Sequence, residues 1–193
     1  MWRDALRARV SPERLAHCER TAALCRAVAE RQADLGLDPD DAALAGLLHD
    51  WGRGEGDADA MLAAAGRLGV PVGRAAERRP VALLHAPVGA ASLRQAGLRS
   101  EAILRAVALH TAGGPGMGTL ELLVYTADYC EPGRGHAHAG EVRAVLTGGD
   151  DLRGAARLAT RYTVEHLLDR GDMVEPSAVE LWNDLLDGEG ESA

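Results

Sequence analysis

Apolar residues recur at helical spacing along most of the chain, and helix-starting signals precede several of these runs. Ser11-Pro12 and Asp38-Pro39 each combine a preferred N-cap residue with a proline at the first helical position. The first signal predicts a helix that runs to about Asp34. The second predicts a helix that contains Ala42 to Leu48, seven residues without a polar side chain. Because that helix is apolar on every side, it is expected to lie at the centre of the fold.

Similar patterns predict helices in most of the remaining chain. The predicted ranges are 58–68, 100–110, 120–130, 139–147, 151–169 and 177–187. Pro80 and Pro87 are expected to bracket a short segment, Val81 to Ala86, with an Arg-rich connection before it. The sequence has no strand alternation, internal repeat or interdomain linker. It therefore predicts an all-α fold, one compact bundle of about eight to ten helices. Residues 1–193 are expected to form a single domain, with a core over about 11–187 and a flexible tail at 188–193.

Composition and charge narrow the possible functions. Only 3% of residues are aromatic although 47% are apolar, so the core must be built from Ala, Leu and Val, which suits closely packed helices. The net charge of −8 argues against general nucleic-acid binding, which requires a positive surface. The charged start lacks a signal-peptide core, no apolar run approaches the ~20 residues of a membrane helix, and the three cysteines form no disulfide framework. These features predict a cytoplasmic protein without membrane or nucleic-acid partners.

Six histidine and aspartate residues lie on apolar helical stripes or at the ends of apolar helices. They are His17, His49, Asp50, His85, His110 and Asp128. Four neutral imidazoles and two carboxylates, with two divalent ions, would leave about two positive charges to hold and polarise a phosphate. A lone core histidine is more often a hydrogen-bonding residue than a metal ligand. Here, however, four histidines lie on apolar faces or helix ends, and their number favours a metal site. Asp128 also ends an apolar run, where an unpaired buried carboxylate would be costly.

The order and surroundings of these residues resemble the HD superfamily of metal-dependent phosphohydrolases, and in particular its YqeK branch, the symmetrical diadenosine tetraphosphate hydrolases. The matching strings are Ala45–Asp50, Leu84–Ala90, Ala108–Thr111 and Ala127–Arg134, and the resemblance covers about residues 14 to 186. It implies an HD-domain helical bundle with two divalent metal ions. One ion would be held by His17, His49, Asp50 and Asp128 and the other by His85 and His110, with Asp50 bridging them. The resemblance favours iron, while manganese, cobalt and zinc also suit these ligands.

The resemblance also implies a reaction. A hydroxide bridging the two metals would attack phosphorus and split diadenosine tetraphosphate, a small-molecule nucleotide, at its midpoint into two ADP. Asp50, Arg53 and Arg134 are the expected catalytic residues, and Arg53 and Arg134 would also contact the phosphates. Arg53 stands where the family usually has lysine. Thr111 is a third candidate substrate contact, although the end of a helix explains its Gly-rich surroundings equally well.

Other functions stay open at this level. The rival enzymes are a di-iron HD oxygenase, which uses the same ligand set, and other nucleotide phosphohydrolases. A guanosine tetraphosphate hydrolase and a cyclic-dinucleotide phosphodiesterase are disfavoured because their Glu-Asp pair and Gly-Tyr-Pro motif are missing. A nucleotide-binding sensor without activity is the non-enzyme alternative, and a homodimer is compatible with the sequence. His136 and His138 are interpreted as loop or substrate-rim residues rather than metal ligands.

Overall fold

The computed structural model describes residues 1–149 and 151–187, and in these ranges the chain is helical without a strand. The helices are α1 (Trp2–Arg7), α2 (Pro12–Arg31), α3 (Pro39–Leu48), α4 (Ala58–Leu68), α5 (Arg74–Arg78), α6 (Pro80–Leu83), α7 (His85–Gln95), α8 (Glu101–Leu109), α9 (Thr119–Cys130), α10 (Ala139–Gly148), α11 (Leu152–Asp169) and α12 (Pro176–Asp187). Short 3-10 helices span Ala33–Leu35 and Trp51–Glu55. The all-α prediction is confirmed. The tail expected at 188–193 lies outside the described residues.

The predicted helix starts have the expected capping hydrogen bonds. The Ser11 hydroxyl accepts from the amide of Arg14 at 3.2 Å, and the Asp38 carboxylate accepts from the amide of Asp40 at 2.7 Å. These side chains satisfy amides that have no partner inside the helix. Helix α2 ends at Arg31, slightly before the expected Asp34, because a separate 3-10 turn follows it.

The apolar helix α3 lies at the centre, as its sequence predicts. It packs along α2 on one side and against α8 and α9 on the others. Ala42, Ala45 and Leu48 are completely buried. The chain therefore leaves α3 in the middle of the core, and His49 and Asp50 follow directly from it.

The segment between Pro80 and Pro87 differs from its prediction. Helix α6 ends at Leu83 and α7 begins at His85, so Pro87 lies in the first turn of a helix instead of closing a segment. A proline is tolerated there because first-turn amides have no helical acceptor. The expected Arg-rich connection also contains the short helix α5, and such short elements raise the helix number to twelve in the described residues.

Helices α4 to α7 share a small second apolar cluster, which includes Met61, Ala65, Leu84 and Val88. This cluster packs beneath the start of α7 and therefore supports the backbone around His85. None of the helices in residues 1–149 and 151–187 has the length and apolar character that crossing a membrane requires.

Candidate metal centre

The structure brings the six histidine and aspartate side chains together from five helical elements. One residue lies in α2, two follow α3, one begins α7, one follows α8, and one lies in the last turn of α9. In chain order they are His17, His49, Asp50, His85, His110 and Asp128. All are buried except Asp128, whose side chain is 19% exposed.

The two carboxylate oxygens of Asp50 face different halves of the cluster. Oδ2 lies 3.8 Å from Nε2 of His17 and 3.5 Å from Nε2 of His49. Oδ1 lies 3.2 Å from Nε2 of His85 and 3.7 Å from Nε2 of His110. The Asp50 carboxylate therefore lies between two pairs of imidazoles.

Asp128 completes the half that contains His17 and His49. Its Oδ1 lies 3.0 Å from Nε2 of His17 and 3.6 Å from Nε2 of His49. The two imidazole Nε2 atoms of this half are 3.1 Å apart, and those of His85 and His110 are 3.0 Å apart. Each half therefore places donor atoms around one small volume.

The opposite ring nitrogens determine the tautomers of these histidines. Nδ1 of His49, His85 and His110 donates to the carbonyl oxygens of Gly46, Val81 and Val107 at 2.7, 3.0 and 2.8 Å. Nδ1 of His17 lies 3.1 Å from a carboxylate oxygen of Glu131. Because these oxygens only accept, each Nδ1 must carry the proton in the neutral ring, and each Nε2 presents a lone pair to the cluster.

This donor arrangement fits divalent metal ions. Within each half, two imidazole lone pairs face each other with no proton between them, an arrangement that a shared cation makes favourable. Three sets of three residues have potential ligand atoms within 4.8 Å of one another: His17, His49 and Asp50; His49, His110 and Asp128; and Asp50, His85 and His110. Imidazole and carboxylate donors suit iron, manganese, cobalt and zinc.

Glu131 is a buried residue of the site that the sequence interpretation did not single out. Its carboxylate accepts from Arg20 Nε at 2.6 Å and from the Gly133 amide at 2.5 Å, in addition to His17 Nδ1. Burial raises the pKa of Glu131, but the hydrogen bonds from Arg20, Gly133 and His17 outweigh it and lower the pKa to about 2. An ionised carboxylate behind a histidine orients the ring and makes its Nε2 a better metal donor.

The two aspartates of the cluster are ionised. Burial raises the pKa of Asp50, but without metal the charge of protonated His49 and hydrogen bonds from the neighbouring histidines hold it well below its usual range. The pKa of Asp128 is lowered in the same way, by His49, His17 and Arg134 against the effect of burial. Burial lowers the pKa of His49, but the carboxylates of Asp50 and Asp128 outweigh it and raise the pKa, so a metal ion binds here by displacing a proton. In contrast, burial lowers the pKa of His85 to about 4, which keeps this ring neutral near pH 7. Ionised carboxylates and neutral imidazoles are the forms that bind metals.

Three arginines reach the carboxylates of the cluster. Arg53 Nε lies 3.2 Å from Asp50 Oδ1, and the guanidinium of Arg134 pairs with Asp128. The third is Arg14, whose Nη1 donates to Asp50 Oδ2 at 2.8 Å and which was not predicted. Its place in α2, one turn before His17, puts it on the same helical face.

The predicted substrate contacts line one cavity with part of the cluster. Arg53, Thr111 and Arg134 share this cavity of about 210 Å³ with His85 and His110. The Thr111 hydroxyl lies 3.1 Å from Nε2 of both histidines. The sequence-predicted residues are therefore adjacent in the structure, and their side chains face the same space.

Two neighbouring cavities share lining residues with this central one. A cavity of about 440 Å³ also contains Thr111 and extends past Gly113 toward Glu175. A cavity of about 360 Å³ shares Tyr129 and His136 with the central cavity. In the Arg-rich connection, Arg74 and Arg78 are exposed and Arg79 is half-buried, with its guanidinium 3.6 Å from Asp172; none of the three lines these cavities.

An all-α fold around converging imidazoles and carboxylates defines a helical metal-binding domain. The comparison with known families agrees with this description, because a model described as "HD domain" matches residues 14–133. The chain belongs to the HD domain family, whose hydrolases bind divalent metals.

Two curated relatives are both called bis(5'-nucleosyl)-tetraphosphatase, symmetrical. The Bacillus subtilis protein is 39% identical over 107 residues, which are 55% of this chain and 56% of that protein. The Halalkalibacterium halodurans protein is 36% identical over 105 residues, 54% of this chain and 55% of that protein. The match thus spans about half the length of these relatives.

A solved structure is similar over nearly the whole chain. It is described as a predicted HD superfamily hydrolase involved in NAD metabolism, from Clostridium acetobutylicum. The TM-score is 0.88 with 26% sequence identity, and the match covers 97% of this chain and 96% of the other. The helical arrangement described above is therefore shared with a structure of the same superfamily.

Proposed function

We propose that this protein hydrolyses diadenosine tetraphosphate and related dinucleoside tetraphosphates at the midpoint, giving two nucleoside diphosphates. The observation that carries the proposal is the position of Asp50, whose two oxygens face His17 with His49 on one side and His85 with His110 on the other. This position would let one carboxylate contact two divalent ions. The names of the relatives supply the substrate class.

Two metal ions would be held by the six histidine and aspartate side chains, and iron is our preferred identity. Bound there, divalent ions lower the pKa of water to near neutrality and withdraw charge from phosphoryl oxygens. Asp50 would touch both ions, while His17, His49 and Asp128 would hold one and His85 and His110 the other. Glu131 would keep the His17 ring in place.

The arginines of the site act on the substrate. In the structure their guanidinium groups pair with the carboxylates of Asp50 and Asp128. With those carboxylates engaged as metal ligands, the guanidinium groups of Arg53 and Arg134 would be free to bind phosphoryl oxygens, which they match geometrically. They would then stabilise charge that grows on the phosphates during hydrolysis. The Thr111 hydroxyl, 3.1 Å from Nε2 of His85 and of His110, would donate to a phosphoryl oxygen bound beside them.

The two flanking cavities support cleavage at the midpoint. A tetraphosphate lying across the central cavity would leave one nucleoside on the Thr111 side and the other on the Tyr129 and His136 side. The phosphorus atoms nearest the metal centre would then be the inner pair. Hydrolysis between them yields two identical products.

The remaining predictions extend this function. Three buried cysteines without disulfide partners support a reducing, cytoplasmic setting for a nucleotide hydrolase. A homodimer stays a prediction.

The proposal is tested by elemental analysis together with a turnover assay. We expect two metal ions per chain in the purified protein and metal-dependent release of ADP. Asp50→Ala should release most of the metal and abolish turnover, because it removes the only predicted bridge. Asp59→Ala, which removes an exposed aspartate in the first turn of α4, is the matched control and should keep both properties.

Two controls separate the rival functions. Turnover without oxygen excludes an oxygenase, and tight nucleotide binding with no ADP release would favour a sensor. Full activity and full metal content in Asp50→Ala would refute the assigned site.

A further inference from the structure

A groove lined by aromatic rings opens beside the metal centre. It is formed by Tyr129, His136, His138, Tyr162, Thr163 and His166 and has a volume of about 360 Å³. The groove contains all three histidines that lie outside the metal cluster and two of the three tyrosines of the chain. In a protein with 3% aromatic residues, this concentration of flat rings points to a flat ligand.

The floor of the groove is a preformed stack. The rings of His138 and Tyr162 are parallel within 8°, with centroids 3.8 Å apart. The Tyr162 hydroxyl donates to the Glu141 carboxylate at 2.6 Å, and Arg161 lies over the Tyr162 ring at 4.4 Å from its centroid. These contacts hold the stack in one orientation. Because the His138 side chain remains 50% exposed, its second face is open to the groove.

The loop after α9 runs from the metal centre to this stack, and three alternate residues along it line these cavities. Arg134 lines the central cavity, His136 lines both the central cavity and the groove, and His138 lines the groove alone. The residues between them, Gly135 and Ala137, are small. The His136 ring packs edge-on against Tyr129 at a centroid distance of 4.5 Å. One stretch of loop therefore presents a phosphate-binding cation and then two rings, in the order phosphate, sugar, base of a nucleotide.

We propose that this groove is the nucleobase subsite for one half of the dinucleotide, in which the purine stacks on the open face of His138. His136 and Tyr129 flank the ribose and the first phosphate. The inference rests on the proposed function, since it assigns a place to one nucleoside of that substrate. Stacking on an aromatic side chain suits any purine because every base offers a π-face, so the subsite selects bases more by shape than by hydrogen bonding.

The test compares ligands with and without a base. Isothermal titration of the metal-containing protein with ADP and with inorganic pyrophosphate separates the contribution of the nucleoside from that of the phosphates. His138→Ala should weaken ADP binding and raise the KM for diadenosine tetraphosphate by roughly 5- to 150-fold, the range for loss of a base-stacking ring. Pyrophosphate affinity should change by less than about twofold, since the phosphates bind elsewhere.

Two further variants make the result specific. His138→Phe keeps an aromatic face and should restore most of the ADP affinity. Glu180→Ala changes an exposed residue of α12 that lines none of the three cavities around the metal centre, and it should bind ADP like the wild type. Melting curves of all variants check that the fold is intact.

The outcomes distinguish the subsite from the function. If the wild type releases ADP from diadenosine tetraphosphate and His138→Ala matches it in ADP affinity and KM, the subsite is wrong and the proposed function stands. If the wild type releases no ADP under any metal condition, the proposed function and the subsite fall together. Equal loss of ADP and pyrophosphate affinity would also overturn the subsite, because it would indicate a general disturbance of the centre.

Discussion

A methyl group added at Gly52 should disturb the metal centre by displacing the backbone next to it. Gly52 lies two residues after Asp50, in the 3-10 helix that packs on α7. A Cβ added to Gly52 would lie 2.0 Å from the carbonyl oxygen of His85 and 2.9 Å from the amide nitrogen of Gly89. The reverse contact is also tight, because a Cβ on Gly89 would lie 2.8 Å from the Gly52 nitrogen. Two glycines therefore let these backbones approach each other.

The size of the disturbance follows from these distances. Bringing the 2.0 Å contact to 3.0 Å, below which real Cβ contacts essentially never occur, requires a relative shift of about 1 Å. Metal–ligand distances tolerate only about 0.2 Å, so a shift of the His85 backbone should loosen its half of the centre. Overpacking of this kind costs about 1–3 kcal/mol, which corresponds to a fall in melting temperature of roughly 2–12 °C for a domain of this size.

The assay is a thermal melt of Gly52→Ala together with elemental analysis of the purified protein. Gly66→Ala is the matched control, because Gly66 is an exposed residue inside α4 and an added Cβ would meet nothing within 4 Å. That control should melt at the same or a higher temperature, since alanine is favoured over glycine inside a helix by about 0.5–1 kcal/mol. If Gly52→Ala keeps its full metal content and melts like Gly66→Ala, the reasoning from backbone contact to metal site is refuted.

Three further predictions concern the metal centre and the core. Glu131→Gln removes the charge behind His17 and should weaken metal binding about 10- to 100-fold, measured by competition with a chelator; unchanged affinity would contradict the role of Glu131. Chelation should lower the melting temperature, because metal at 100 times its dissociation constant stabilises the native state by about 2.7 kcal/mol; identical melts with and without chelator would exclude a tightly bound metal. Burial raises the pKa of Cys18 and Cys25, and that of Cys130 to about 12, so at pH 8 almost no thiolate forms in the native protein. A thiol reagent should therefore label these cysteines only after unfolding, and rapid labelling of the native protein would show that the core is not closed as described.

Local signals were sufficient to predict much of the fold. The caps at Ser11 and Asp38 and the apolar run before His49 each depend on neighbouring residues alone, and their helices are found where expected. Pro87 was misinterpreted because a proline has the same appearance in a sequence whether it ends a helix or occupies a first turn. Only the packing of α7 distinguishes the two cases.

The metal-donor residues of the candidate site could be predicted from the sequence, but the residues that hold those donors in place could not. The six histidine and aspartate residues lie on apolar faces, where polar side chains are conspicuous. Glu131 lies 114 residues from His17 in the sequence. No local sequence pattern can therefore show that the two side chains are in contact. The one signal for Glu131 is a carboxylate directly after the buried helix α9. Arg14 offered a clearer signal, because it precedes His17 by three residues on the same helical face.

The central claim is that a two-metal centre bridged by Asp50 splits a dinucleoside tetraphosphate in the middle. Chromatographic product analysis of diadenosine tetraphosphate, incubated with the metal-containing protein, tests this claim most directly. The account predicts ADP as the only nucleotide product, at two ADP per substrate consumed, and no turnover after chelation. ATP and AMP in equal amounts, or the same turnover with and without chelator, would contradict it.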